Sequence, residues 1–191
     1  LKKVASGKPG VREFGSARGE NNKKPSKRFE IKQTRSGGEA GDNSNSQYGC
    51  LGLRACFEAN VRVPEEILYL SRKWWVESQW PDESTAKAGA NAVSSGGPTA
   101  KIQGWSYKRP DNDEGHKAPY HAMTAGGVGA VCIIEYMLGR DIKKDGVTQA
   151  GVNWLGKHFA VNTGYYYMYA LERAGMLYGA DTFGGRLWYT E

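Results

Sequence analysis

The chain has 191 residues, 39% of them apolar, with six tryptophans, eleven tyrosines and a formal net charge of +6. That length and composition suit one soluble globular domain with a buried core, and no apolar run reaches the ~18 residues that a membrane-crossing helix needs. The charge is segregated: residues 1–41 hold 11 Lys/Arg against 4 Asp/Glu and residues 42–191 hold 15 against 16, so the near-neutral bulk of the chain argues against a specific nucleic-acid partner.

In chain order, residues 1–41 come first. They are rich in Gly, Ser, Asn and Lys, with Val4, Val11, Phe14, Phe29 and Ile31 as their large apolar residues. The segment is predicted to be a flexible or weakly ordered arm suited to an acidic surface. A first residue Leu1 rather than Met suggests a processed or partial chain, and no secretory signal is left to read.

Asp42-Asn43-Ser44-Asn45-Ser46-Gln47 then forms a helix entrance crowded with polar side chains. One of them suffices to cap a helix, so the excess of amides marks a candidate polar site. A first helix is predicted over Gln47–Asn60 with Tyr48, Leu51, Ala55 and Cys56 on its apolar stripe. Pro64 opens a second helix, with Ile67, Leu70, Trp74 and Ser78 at helical spacing, and the short link makes the two an antiparallel pair. Residues 83–103, rich in Ala, Gly and Ser, are predicted to be an inserted surface loop.

Ala122–Leu138 repeats the pattern as a small-residue helix stopped by Gly139, and Asp145–Phe159 is its mate, with Val147, Ala150, Trp154 and His158 on one face. A third unit runs from Tyr165 to Gly179, and the chain ends in Gly184-Gly185-Arg186-Leu187-Trp188-Tyr189 just where a sixth helix would start, so five helices are expected. The predicted fold is all-α, a series of antiparallel hairpins with the last incomplete. Cys50, Cys56 and Cys132 are predicted to be buried thiols. Cys50 and Cys56 are too far around one helix to pair, and no zinc spacing appears, so neither metal nor cofactor is expected. A chain without disulfides fits either side of a bacterial membrane.

Several motifs together resemble one family. They are Asp42 to Gln47, Met123-Thr124-Ala125-Gly126, Tyr165-Tyr166-Tyr167 with Ala170-Leu171-Glu172-Arg173-Ala174-Gly175, and Gly184-Gly185 before Trp188-Tyr189. In this order they resemble the prenyltransferase and squalene-cyclase repeat proteins of the α/α-toroid superfamily, especially a bacterial group with an Asp-Asn-Ser-Asn-x-Gln entrance. The resemblance covers residues 42–191 and implies a partial α/α toroid. Complete rings of that superfamily carry more hairpins than this chain supplies, which implies a protein partner or a second copy beside it.

The catalytic devices of that superfamily are poorly matched. Asp111-Asn112-Asp113-Glu114 is the nearest approach to a cyclase acid motif, but it lies in a polar loop where its carboxylates are expected to be solvated and ionised. Neither the zinc ligands of a protein prenyltransferase nor a thioester strip is present. A polysaccharide lyase on this scaffold needs a Tyr or His base with Asn or Arg beside it, and the chain offers Asn43, Asn45, His121, Tyr165, Tyr166, Tyr167 and Arg173. Asp42, Asn43, Asn45, Gln47, His121, Thr124, Tyr166, Tyr167 and Glu172 are therefore the candidate pocket or polar network. The pocket version implies a terpenoid cyclase-like or lyase-like enzyme. The network version has Glu172 bonding Asn45 or the free N–H groups near Asp42 across the array, and implies a non-catalytic binding or assembly subunit of a larger complex.

Overall fold

The computed structural model describes residues 41–84, 100–161 and 164–190. The predicted arm, apart from Gly41, and the centre of the 83–103 insert lie outside the described residues. Within them the chain forms five α-helices: α1 Asn43–Glu58, α2 Glu65–Glu77, α3 His121–Met137, α4 Gly146–Lys157 and α5 Tyr165–Tyr178. A 3₁₀ turn, Ile142–Lys144, precedes α4, and the short strands β1 Thr182–Phe183 and β2 Arg186–Leu187 follow α5. The all-α fold class is thus observed.

Helix ends follow the local chemistry of caps. Asp42 takes the N-cap of α1, so the helix starts at Asn43 rather than Gln47. Asp145 caps α4 by accepting the Thr148 N–H at 2.7 Å. Pro64 is the residue before α2 rather than its first, and Glu65 and Glu66 occupy the first turn, where the helix dipole favours negative charge. Gly139 (φ 70°) and Gly179 (φ 67°) follow α3 and α5 in the left-handed conformation that ends helices.

α3 is the centre of the molecule, buried from Met123 through Glu135. Its Gly and Ala content lets neighbours approach on several sides, and α1, α2, α4 and α5 all pack against it. The first turns of α1, α3 and α5 meet, since Tyr166 reaches Gln47, and Gln47 lies against Gly126. These three helices therefore run parallel as one layer. α2 and α4 run the other way behind α3, because Arg72 of α2 and Asp145 before α4 meet at Glu135 near the end of α3.

Two apolar stripes differ from expectation. The buried residues of α1 are Asn43, Gln47 and Cys50, whereas Tyr48 and Ala55 face solvent. The amides turn inward because each finds hydrogen-bonding partners there. α2 is rotated by about one position, burying Leu68, Trp75 and Ser78 and leaving Leu70 exposed. Leu70 and Trp74 instead line a cleft of about 440 Å³ between α1 and α2, so the predicted pair is antiparallel but leans on α3 more than on itself.

Among the described residues the chain has five helices, as expected of a last hairpin left incomplete, and a short β-hairpin stands where a sixth helix would start. Gly184 (φ 60°) and Gly185 (φ 82°) form the two-residue turn of the β1–β2 hairpin, a conformation that glycine adopts without strain. The turn presses on α4: a Cβ on Gly184 would stand 2.3 Å from the Gly156 carbonyl oxygen. Cys50 and Cys132 are buried free thiols, with burial pushing the Cys50 thiol up to about 11 and Cys132 up as well. Cys56, expected to be buried, is only half so.

Candidate functional site

The polar entrance of α1 is built from bonds that the chain makes to itself. Asn43 is fully buried with every polar atom named here partnered: its Nδ2 donates to the Ser106 carbonyl at 2.8 Å, its Oδ1 accepts from Trp74 Nε1 at 2.8 Å, and its N–H donates to the Tyr107 carbonyl at 2.8 Å. It ties α1 to α2 and to the loop before α3. Gln47 Oε1 accepts from the Tyr166 hydroxyl at 2.8 Å, joining α1 to α5. Asp42 Oδ1 accepts from the Asn45 N–H and from Ser44 Oγ, and its Oδ2 accepts from Asn45 Nδ2. Thr124 Oγ1 accepts from the Trp105 N–H at 3.0 Å, so it fixes that loop to α3.

Around this pole stand Tyr48, Tyr107, Tyr120, Asp113 and His116. Asp113 corrects the expectation of a solvated acid: its side chain is 3% exposed and accepts from the N–H groups of Lys108 and His116 and faces the His116 ring. Burial pushes its carboxyl up, but those bonds outweigh burial and hold it below the ordinary range. Asp111 is exposed, as expected. Burial, followed by the neighbouring Asp113, Tyr107 and Asp42, pushes the Tyr120 phenol up to about 12. Tyr166 also rises to about 12, from burial and then Tyr48, Tyr120, Asp42 and Tyr107. Both phenols stay protonated at neutral pH, which makes them weak general bases.

The remaining candidates lie elsewhere. The His121 Nε2–H donates to the His158 carbonyl at 2.6 Å, and its ring meets Trp154 and Tyr167 edge-on. His158 bonds Glu83 at 2.8 Å, and Glu83 also accepts from Trp154 Nε1 and Lys157 Nζ, clamping the base of the insert to α4. Glu172 does not reach Asn45. It sits half-exposed on α5 beside Arg173 at 3.4 Å, so the register-fixing link between distant helices falls to Gln47–Tyr166 and to Asn43.

Glu172 and Tyr167 instead line a second cleft of about 620 Å³, between α5, Phe159–Val161 and the Trp188-Tyr189 segment. Trp188 is fixed there by its Nε1 bond to the Ala180 carbonyl at 2.6 Å and by contact with Gly175. The Tyr167 side chain is buried, and its hydroxyl has no hydrogen-bond partner among the described residues. Val161, Met168, Tyr169 and Tyr189 of its lining are exposed, and so is Tyr165 one helical turn before Met168 and Tyr169.

No protein family, curated protein or solved structure matches the chain. Among the described residues no group of three or more His, Cys, Asp or Glu side chains is placed to hold a metal ion. No helix among them is long and apolar enough to cross a membrane.

Glu83, read only as the start of the insert, is placed by bonds to residues 71, 74 and 75 positions away, whereas Asp113, read as a solvated acid, is held by Lys108 and His116 of its own loop. The Asp113–His116 spacing within a Gly- and Pro-flanked loop was the available local signal.

The cap itself carries a prediction. Partial burial raises the Asp42 carboxyl, but its bonds from Asn45 and Ser44 outweigh that and leave it below its ordinary value. A lowered carboxyl contributes stability above the unfolded-state value, and the contribution is lost as pH falls through the folded one. Asp42→Ala is therefore expected to lose about 1 kcal/mol near neutral pH, with the gap to wild type closing in acid. Urea unfolding at stepped pH checks it, and a gap that widened in acid would contradict the role.

Proposed function

We propose that this chain is a non-catalytic binding and assembly module, a partial α/α toroid of the prenyltransferase and squalene-cyclase repeat type, that docks into a larger protein complex through the outer face of α5. The observation that carries this reading is the exposed apolar lining of the 620 Å³ cleft, Val161, Met168, Tyr169 and Tyr189, with Tyr165, 92% exposed, one helical turn before Met168 and Tyr169. Contiguous apolar surface of this kind marks interaction sites rather than ordinary solvated faces. Dispersal of the chemical candidates supports the same reading. Asp42, Asn43, Gln47 and Thr124 are engaged in holding helix ends and loops, His121 is bonded toward α4, and Glu172 faces a different cleft. Among the described residues these candidates do not gather an acid, a base and a substrate-neutralising group around one cleft, as turnover requires.

The test is the native mass of the particle from its source, with every chain identified. A defined assembly larger than the monomer is expected. A monodisperse monomer with no associated protein overturns the reading.

A further inference from the structure

The chain enters the described fold at the rim of the cleft between α1 and α2. Residues 1–40 precede this point and lie outside the described residues. Gly41 is laid on the Trp74 indole, since a Cβ on it would stand 2.9 Å from Trp74 Cη2. That indole is held by its bond to Asn43, and it lines the 440 Å³ cleft together with Leu53 and Leu70. No charged side chain takes part in the lining, and Leu70 is 64% exposed. An apolar partner laid there would remove this surface from water.

Backward from Gly41, the first large apolar residues are Ile31 and Phe29, in the run Arg28-Phe29-Glu30-Ile31-Lys32. On an extended backbone this alternation turns both apolar side chains to one side, roughly 7 Å apart, and the charges to the other. That separation is close to the one-turn step of about 6 Å from Trp74 to Leu70 along α2. The ten residue steps from Ile31 to Gly41 span up to ~35 Å, several times the distance required. Charge favours the same direction of docking. Glu66, one turn before Leu70, is exposed next to Glu65, and neither forms an ion pair among the described residues. The residues beyond Phe29 include Lys23, Lys24, Lys27 and Arg28, which would come to lie over that acidic first turn. From the place where the chain enters and from this complementarity we infer that the α1–α2 cleft is the docking site of this chain's own Phe29 and Ile31. The tether holds them near the cleft at an effective concentration in the mM range, so a weak contact suffices.

The inference does not depend on the α5 face. Hydrogen exchange of the full chain, read by mass spectrometry, tests it. Amides of residues 28–32 are expected to exchange about tenfold or more slowly than the free-chain rate of the same sequence, whatever the protein concentration. Leu70→Asp puts a charge in the cleft at an exposed position, and is expected to return those amides to the free-chain rate with circular dichroism unchanged. Ser71→Arg, also in the lining, replaces it if Leu70→Asp does not fold. Phe29→Asp is expected to have the same effect from the other side of the contact. Free-chain exchange of residues 28–32 in wild type overturns the inference. So does slow exchange that survives the cleft variants, because the segment then docks elsewhere. Slow exchange that appears only as protein concentration rises overturns it as well, since the occupant is then the arm of a second copy.

Discussion

Trp105→Ala is expected to lower the free energy of unfolding by about 3–5 kcal/mol, a large share of the ~5–15 kcal/mol that holds a domain together. Trp105 lies between helices α2 and α3 in sequence, yet it is fully buried at the junction of α2, α3 and α4. Its Nε1 donates to the Trp75 carbonyl at 2.8 Å, its N–H donates to Thr124 Oγ1 at 3.0 Å, and its ring meets Trp75 edge-on at 6.1 Å. Gly127 and Gly151 leave the space it occupies, since a Cβ on either would stand 2.6 Å from the indole. Truncation removes the largest shared contact of three helices and opens a cavity walled by backbone, which cannot collapse readily. Trp105→Phe keeps most of the ring and loses the bond to Trp75, so a smaller loss is expected. Urea unfolding followed by circular dichroism separates the two, and an alanine variant within about 1 kcal/mol of wild type would refute the placement.

The case of Trp105 shows where legibility in the sequence stops. Helical segments, their order and their stops were readable because caps, Gly139, Gly179 and the 3.6-residue period are local signals. Which face each helix buries was not always readable. On α1 the inward face is polar, with Asn43 and Gln47 buried and Tyr48 exposed, because hydrogen bonds to residues more than 60 positions away outweigh hydropathy there. Gly184-Gly185 carries a local signal for the structure that follows α5. Two adjacent glycines suit a two-residue hairpin turn, across which Thr182-Phe183 pairs with Arg186-Leu187.

The candidate site divides in the same manner. The crowding of polar residues at Asp42–Gln47 was visible, and the expectation of a polar network joining distant helices describes what Asn43 and Gln47 do. Its proposed member Glu172 belongs to another surface, because sequence spacing fixes the face of a helix and not the helix opposite. Tyr165-Tyr166-Tyr167 illustrates the point within three residues: the first is exposed to solvent, the second bonds α1, and the third lies buried at the cleft. Their different fates follow from the 100° step between successive side chains on a helix.

Arg72→Met is expected to cost about 3–5 kcal/mol near neutral pH, since it leaves two buried carboxylates without their shared cation. Arg72 Nε bonds Glu135, whose side chain is 2% exposed, and Arg72 Nη2 bonds Asp145 Oδ1 at 2.5 Å. Burial alone would lower the guanidinium, but its bonds to Glu135 and then to Asp145 outweigh this and raise it, which keeps the cation fully charged. Arg140 stands 3.6 Å from the second oxygen of Glu135, from a more exposed position, and compensates only in part. The cluster pins Arg72 of α2 to Glu135 near the end of α3 and to Asp145 at the start of α4, which lie 63 and 73 residues further along the chain. In the variant, protonating one stranded carboxylate relieves the buried charge, so the deficit against wild type should shrink as pH falls. Arg72→Met combined with Glu135→Leu replaces most of the charge by packed apolar volume and should recover much of the loss, because a buried ion pair is worth little over a well-packed apolar pair. Unfolding midpoints for the single and double variants across a pH series decide the matter. A single variant as stable as wild type, or a deficit that grows in acid, would show that the three side chains do not form one cluster in solution.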